Sequence, residues 1–220
     1  MKFFLAVLCA FMAISNVALS ADLSGSIVVQ KKDGQTTLNS FENGVAYLSG
    51  PIHDVPDEPA VSIQKGKLFL PRVLPVIKGQ EVRFYNHDPI QHNVFSNQKD
   101  KSFDLGSIAK GDYRSETFEK SQQYKVFCNI HQEMVQDILV LDNGFFGATD
   151  ETGAFQISDI PDGDYTLNIW HIYGGTYSAD ISVRGQDIQV DPITITNTRA
   201  VRETLNHKNK FGRRYRSRLY

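Results

Sequence analysis

Residues Cys128-Asn129-Ile130-His131-Gln132-Glu133-Met134 place a thiol, an imidazole and a thioether in one short segment, spaced C-x-x-H-x-x-M. Upstream, Asn86-His87-Asp88-Pro89-Ile90-Gln91-His92-Asn93-Val94 offers a second imidazole just after another strand-like stretch. These are soft donors. Zinc rarely recruits methionine, and closed structural zinc sites take four cysteine or histidine ligands. A thiolate and two imidazoles in a plane, with a weak and distant thioether on the axis, suit copper instead. The expected metal ligands are therefore His92, Cys128, His131 and Met134, holding one copper ion. His87 reads as a loop histidine near the site, His53 and His207 as solvent-facing, and Trp170-His171 as strand-end residues in which the indole belongs to the core.

The cysteine count supports this reading. The chain has two cysteines, and Cys9 lies inside an N-terminal segment with one Lys, an apolar run from Phe3 to about Ile14, and small residues at Ala18 and Ser20. That pattern is a signal peptide over residues 1–21, cut after Ser20 or Ala21, and its apolar run is too short to span a bilayer. Export then leaves Cys128 as the single thiol of a periplasmic or secreted protein. No intrachain disulfide is available to it, and an unpaired thiol in an oxidising compartment needs burial, a partner chain or a metal.

No other catalytic machinery is visible. Asp22, Asp33, Asp88, Asp150 and Asp162 stand at turns, where short carboxylates serve the backbone. No carboxylate dyad, Ser-His-Asp order, phosphate loop or dinucleotide fingerprint occurs. The chain is not expected to be an enzyme.

The elements that must position these residues read as strands. Ser26–Val29, Val45–Leu48, Val73–Ile77, Glu81–Tyr85, Tyr124–Phe127 and Ile138–Leu141 are short, rich in β-branched and aromatic residues, and bounded by Gly, Asp, Asn or Pro. From Asn143 the pattern restarts, with turns at 149–153 and 160–164 flanking strands at 154–157 and 165–170. The fold class is all-β, with two small sandwiches. The end of the chain reads as a short helix over about 198–205, followed by a stretch too charged to pack.

Charge is divided along the chain. Residues 22–198 carry 14 Lys+Arg and 24 Asp+Glu, a formal −10, whereas residues 199–220 carry 8 basic and 1 acidic residue, a formal +7. The tail at 198–220 reads either as an arm reaching an anionic partner or membrane surface, or as a solvated end; nucleic acid is not an expected partner.

Two resemblances follow from these motifs. The run Gly79–Asn86, then His92-Asn93-Val94, then Phe118 and the strand into Cys128, resembles the small type-1 copper proteins, the cupredoxins plastocyanin, pseudoazurin and, by ligand spacing, amicyanin. It covers roughly residues 61–142 and implies a Greek-key sandwich with His92 as the buried imidazole and His131 as the one near the surface. It also implies that the Asn93 N–H supports the Cys128 sulfur. Gln132 stands where amicyanin-like loops have Pro, and Glu133 adds a charge beside the site. Residues 145–195 resemble the transthyretin-like regulatory domain found beside carboxypeptidases, through Ala148-Thr149-Asp150-x-x-Gly153-x-Phe155-x-Ile157 and Ile160-Pro161-x-Gly163-x-Tyr165-x-Leu167. The opening strands of that domain are missing just before Phe145, but 22–50 looks like them. The expectation is a discontinuous sandwich, 22–50 with 143–197, into which the copper domain is inserted. The whole resembles bacterial proteins labelled methylamine-utilisation proteins.

These expectations favour a one-electron carrier that meets a redox partner transiently through His131 and an apolar patch at Pro89 and Ile90. Two alternatives stay open: a copper sequestration or delivery protein, and a structural or interaction β module with an incidental copper site.

Overall fold

The computed structural model describes residues 20–38, 41–51, 56–198 and 207–215. Among these residues there are seventeen strands and no helix. They are β1 (Ser20–Gln30), β2 (Gly44–Ser49), β3 (Ala60–Lys65), β4 (Leu68–Leu70), β5 (Val73–Ile77), β6 (Glu81–Asn86), β7 (His92–Gln98), β8 (Lys101–Ile108) and β9 (Tyr113–Thr117). The rest are β10 (Gln123–Phe127), β11 (Val135–Leu141), β12 (Phe146–Ala148), β13 (Ala154–Pro161), β14 (Gly163–His171), β15 (Thr176–Val183), β16 (Ile188–Gln189) and β17 (Ile193–Thr196). No helix among the described residues is long and apolar enough to cross a membrane. Residues 1–19 of the expected leader, His53 and most of the expected tail helix lie outside the described residues.

Residues 60–141 form one sandwich. Its sheets run β4-β3-β6-β9 and β5-β11-β10-β7-β8. Alternation makes the core, because side chains two apart share a face: Val82 and Phe84 from β6 meet Tyr124 and Val126 from β10, with Phe69, Val94, Phe118 and Ile138 around them. Pro75 sits in β5, at the edge of its sheet, where its lack of an N–H does least harm.

The second sandwich is built from both ends of the chain. β1 runs antiparallel to β13 and parallel to β16 and β17, and the other sheet runs β12-β2-β14-β15. Ile27 and Val29 share a core with Phe155, Ile157, Tyr165, Leu167 and Ile169. The chain leaves this sandwich after β2 and returns in β12, which pairs with β2 itself, Phe146 opposite Tyr47. Departure and return are thus neighbours in one sheet, so the intervening strands fold without straining the frame. Gly147 is required where β12 crosses β13, since a β-carbon there would sit 2.1 Å from the Gln156 carbonyl oxygen.

β11 joins the two. Every residue from Val135 to Leu141 is buried. Ile138 and Val140 face the first core, whereas Leu139 and Leu141 pack with Val45, Val73 and Ile172 against Tyr47, Phe146, Trp170 and Tyr173. Asp137, fully buried on the same strand, is neutralised by Arg72 at 2.5 Å and Lys125 at 2.6 Å. His171 is also buried; the Tyr173 N–H donates to its Nδ1, which leaves Nε2 to donate to the Glu42 carbonyl.

Candidate metal centre

The ligand segment is the connection between two antiparallel strands. β10 ends at Phe127, β11 begins at Val135, and these two residues pair, so Cys128 to Met134 forms a loop with its ends clamped together. The Cys128 N–H donates to the Met134 carbonyl at 3.1 Å, and the Met134 N–H donates to the His131 carbonyl at 3.2 Å. β7 lies on the other side of β10, with Phe95 opposite Phe127, and its first residue is His92. Sheet order alone therefore brings the upstream imidazole beside the loop.

The donors converge. One ligand atom each from His92, Cys128 and His131 lies within 4.8 Å of the others. His92 Nδ1 is 3.1 Å from His131 Nδ1, and Cys128 Sγ is 3.8 Å from His131 Nδ1. A small ion bound at about 2.0 Å to nitrogen and about 2.3 Å to sulfur needs donors spaced at about 3–4 Å. The residues fit such an ion. Met134 is fully buried and belongs to the same core cluster as Cys128, and His92 is fully buried as well, while His131 is partly exposed.

Neighbouring groups fix each donor. The Asp88 carboxylate accepts from His92 Nε2 at 2.8 Å, so the proton sits on Nε2 and Nδ1 is left to face the site. Asp88 also accepts the Gly66 N–H at 2.7 Å and the Lys67 N–H at 2.9 Å. Burial pushes this carboxyl up, but the Lys67 N–H, the His92 ring and the Gly66 N–H outweigh it and hold the group down at about 2. At His131, burial first and then the neighbouring His92 push the imidazole below its ordinary value, which favours the neutral form a ligand must take.

The support at sulfur differs from expectation. The backbone N–H that reaches Cys128 Sγ, at 3.4 Å, is that of Ile130. Asn93, expected to act through its own N–H, contributes its side chain instead: Oδ1 accepts the Asn129 N–H at 3.2 Å, and Nδ2 donates to Asp104 and to the Gly106 carbonyl. Asn93 stands opposite Ser107 in the β7–β8 ladder, and the loop turns the Ile130 N–H back over the sulfur.

Other histidines fall away from the donor cluster. His87 is exposed, its N–H bonded to the Gln64 carbonyl. His207, expected to face solvent, is partly buried: its ring stacks on Phe127 at 4.2 Å between centroids, and Nε2 donates to the Gln132 carbonyl at 2.8 Å. Residues 207–215 thus lie against the ligand loop. Charge alone made this segment read as unpacked, but Tyr215 among the basic residues was the available signal. Asp88 was legible only as a turn residue, although its place four before His92 is what lets it reach the ring. Pro89 and Ile90 are exposed on the connection leading into β7, and Ile130 is 50% exposed beside His131.

No protein-family profile matches the chain, and no curated protein matches it. Among solved structures, a single-site variant of amicyanin in its oxidised state is similar at 22% identity over 40% of this chain and 87% of that one, with a TM-score of 0.37. A purple cupredoxin from Nitrosopumilus maritimus is similar at 23% identity over 37% of this chain and 99% of that one, TM-score 0.35. A copper-containing nitrite reductase from Thermus scotoductus is similar at 23% identity over 44% of this chain and only 26% of its own length, TM-score 0.38. The 60–141 sandwich of this chain carries its two-histidine, one-cysteine centre at one end.

Proposed function

We propose that this chain is an exported one-electron carrier that holds one copper ion at His92, Cys128, His131 and Met134. The observation that supports it most is the convergence of one ligand atom each from His92, Cys128 and His131 within 4.8 Å at the end of a sandwich. Bound copper supplies one reversible electron. The chain's own part is to keep its donors still while that electron comes and goes, and the arrangement suits the task. His92 is fixed from behind by Asp88, Cys128 by the Ile130 N–H, and the loop by the Phe127–Val135 pair. Four protein ligands leave no open position for a substrate, unlike catalytic metal sites.

His131 is the port in this reading, as the partly exposed ligand. Exposed Pro89, Ile90 and Ile130 give a small apolar surface suited to brief encounters with a redox partner. Export rests on the leader read at residues 1–21 and on the single thiol that its removal leaves. Voltammetry of the copper-loaded protein tests the proposal. A reversible one-electron wave is expected; a redox-silent ion, or copper lost to a chelator within minutes, would turn the assignment to sequestration or delivery.

A further inference from the structure

The C-terminal segment touches the ligand loop at three residues. The Tyr215 hydroxyl donates to the Cys128 carbonyl at 2.6 Å. His207 donates to the Gln132 carbonyl and stacks on Phe127. The Lys210 N–H donates to Asn129 Oδ1 at 3.1 Å, and Lys210 Nζ pairs with Asp104 at 2.5 Å. These last contacts close a ring, because Asp104 accepts from Asn93 Nδ2 and Asn93 Oδ1 accepts the Asn129 N–H. The segment carries its own turn: Asn209 Oδ1 accepts the Phe211 and Arg213 N–H groups, and the Gly212 N–H donates to the Asn209 carbonyl.

We propose that residues 207–215 are a latch that sets the conformation of the ligand loop 128–134, with Tyr215 and His207 as positioning residues. A seven-residue loop bridging paired strands is held at its ends; its middle, where His131 sits, needs something more. The latch supplies it by taking up the carbonyls of Cys128 and Gln132 and the side chain of Asn129, which lie on both sides of Ile130 and His131. Exposed Lys208, Arg213 and Arg214 keep the outer face of the segment in water while His207 and Tyr215 are partly buried against the loop. The inference rests on the reading of 128–134 as a ligand loop, but the latch itself is present without metal.

Amide hydrogen exchange on the metal-free protein tests it, comparing wild type, Tyr215→Phe and a chain ended after residue 206. Exchange of the 129–134 amides is expected to quicken by about threefold to tenfold in Tyr215→Phe, the effect of one lost hydrogen bond, and further in the shortened chain. Rates in β13 and β14 are expected to stay at wild-type values. Unchanged loop exchange in the shortened chain would overturn the latch, and so would a uniform rise through both sandwiches, which would mark a general brace. The copper-loaded Tyr215→Phe protein gives a second reading: a shifted thiolate absorption band and faster removal of copper by a chelator. Because exchange is read without metal, a failed latch and a failed copper assignment are distinguishable.

Discussion

The Asp88 carboxylate lies 2.8 Å from His92 Nε2 and, through the same two oxygens, holds the Gly66 and Lys67 N–H groups. One side chain therefore orders a turn and orients a ligand. Replacing Asp88 by Asn keeps one acceptor and removes the charge, so the turn survives while the grip on the ring weakens. The expected loss of copper affinity is about tenfold to a hundredfold. Chelator competition measures it, with far-UV circular dichroism as the check that the fold is kept; an unchanged affinity would show that the carboxylate serves the turn alone.

Gln64 is fully buried, and among the described residues neither Oε1 nor Nε2 has a hydrogen-bond partner. Leaving such groups unpaired costs about 1–3 kcal/mol. Gln64→Leu, similar in size and apolar, is expected to raise the denaturant midpoint without changing the slope of the transition. A lower midpoint would contradict the assignment of these atoms as unpaired.

The two sandwiches share the cluster of Val45, Val73, Leu139, Leu141 and Ile172. Leu139→Ala opens a cavity between them and is expected to cost about 2–5 kcal/mol. Trp170 packs on that cluster and is the chain's one tryptophan, so its fluorescence reports the junction while circular dichroism reports all strands. In the wild type the two signals should change together. In Leu139→Ala they should separate, with the fluorescence transition first.

Asp33 accepts from the Thr36 N–H, the Gln35 N–H and the Thr36 hydroxyl, which hold its carboxyl down at about 2 from an ordinary 3.8. A carboxyl with a lowered folded value adds stability above its unfolded value and loses it as pH falls through the folded one. The difference in Tm between wild type and Asp33→Asn should therefore be largest above about pH 5 and shrink toward pH 2. A difference that grows on acidification would reverse the sign.

Much of this was legible in the residues. The alternating strands at 81–85, 124–127 and 165–170 carry their faces in plain view, and Tyr165, Leu167 and Ile169 do share one core. The donors His92, Cys128 and His131 were readable because type and spacing are enough to define a soft donor set. β9 was not, since Tyr113–Thr117 is largely exposed and has no apolar period, and in β8 the alternation of Phe103 and Leu105 is cut short by Gly106-Ser107. The role of Asp88 beyond its turn was hidden because an aspartate before proline looks the same whether or not a ring lies behind it. The docking of 207–215 was hidden for a different reason: His207 and Tyr215 bond to backbone carbonyls, and those leave no mark on the sequence they come from.

The central claim is a cysteine thiolate bound to copper, and the most direct measurement is the visible and EPR spectrum of the copper-loaded wild type beside Cys128→Ser. A thiolate-to-copper absorption band in the wild type, absent from Cys128→Ser, is the predicted result. No such band in the wild type, or the same band in the serine variant, would contradict it.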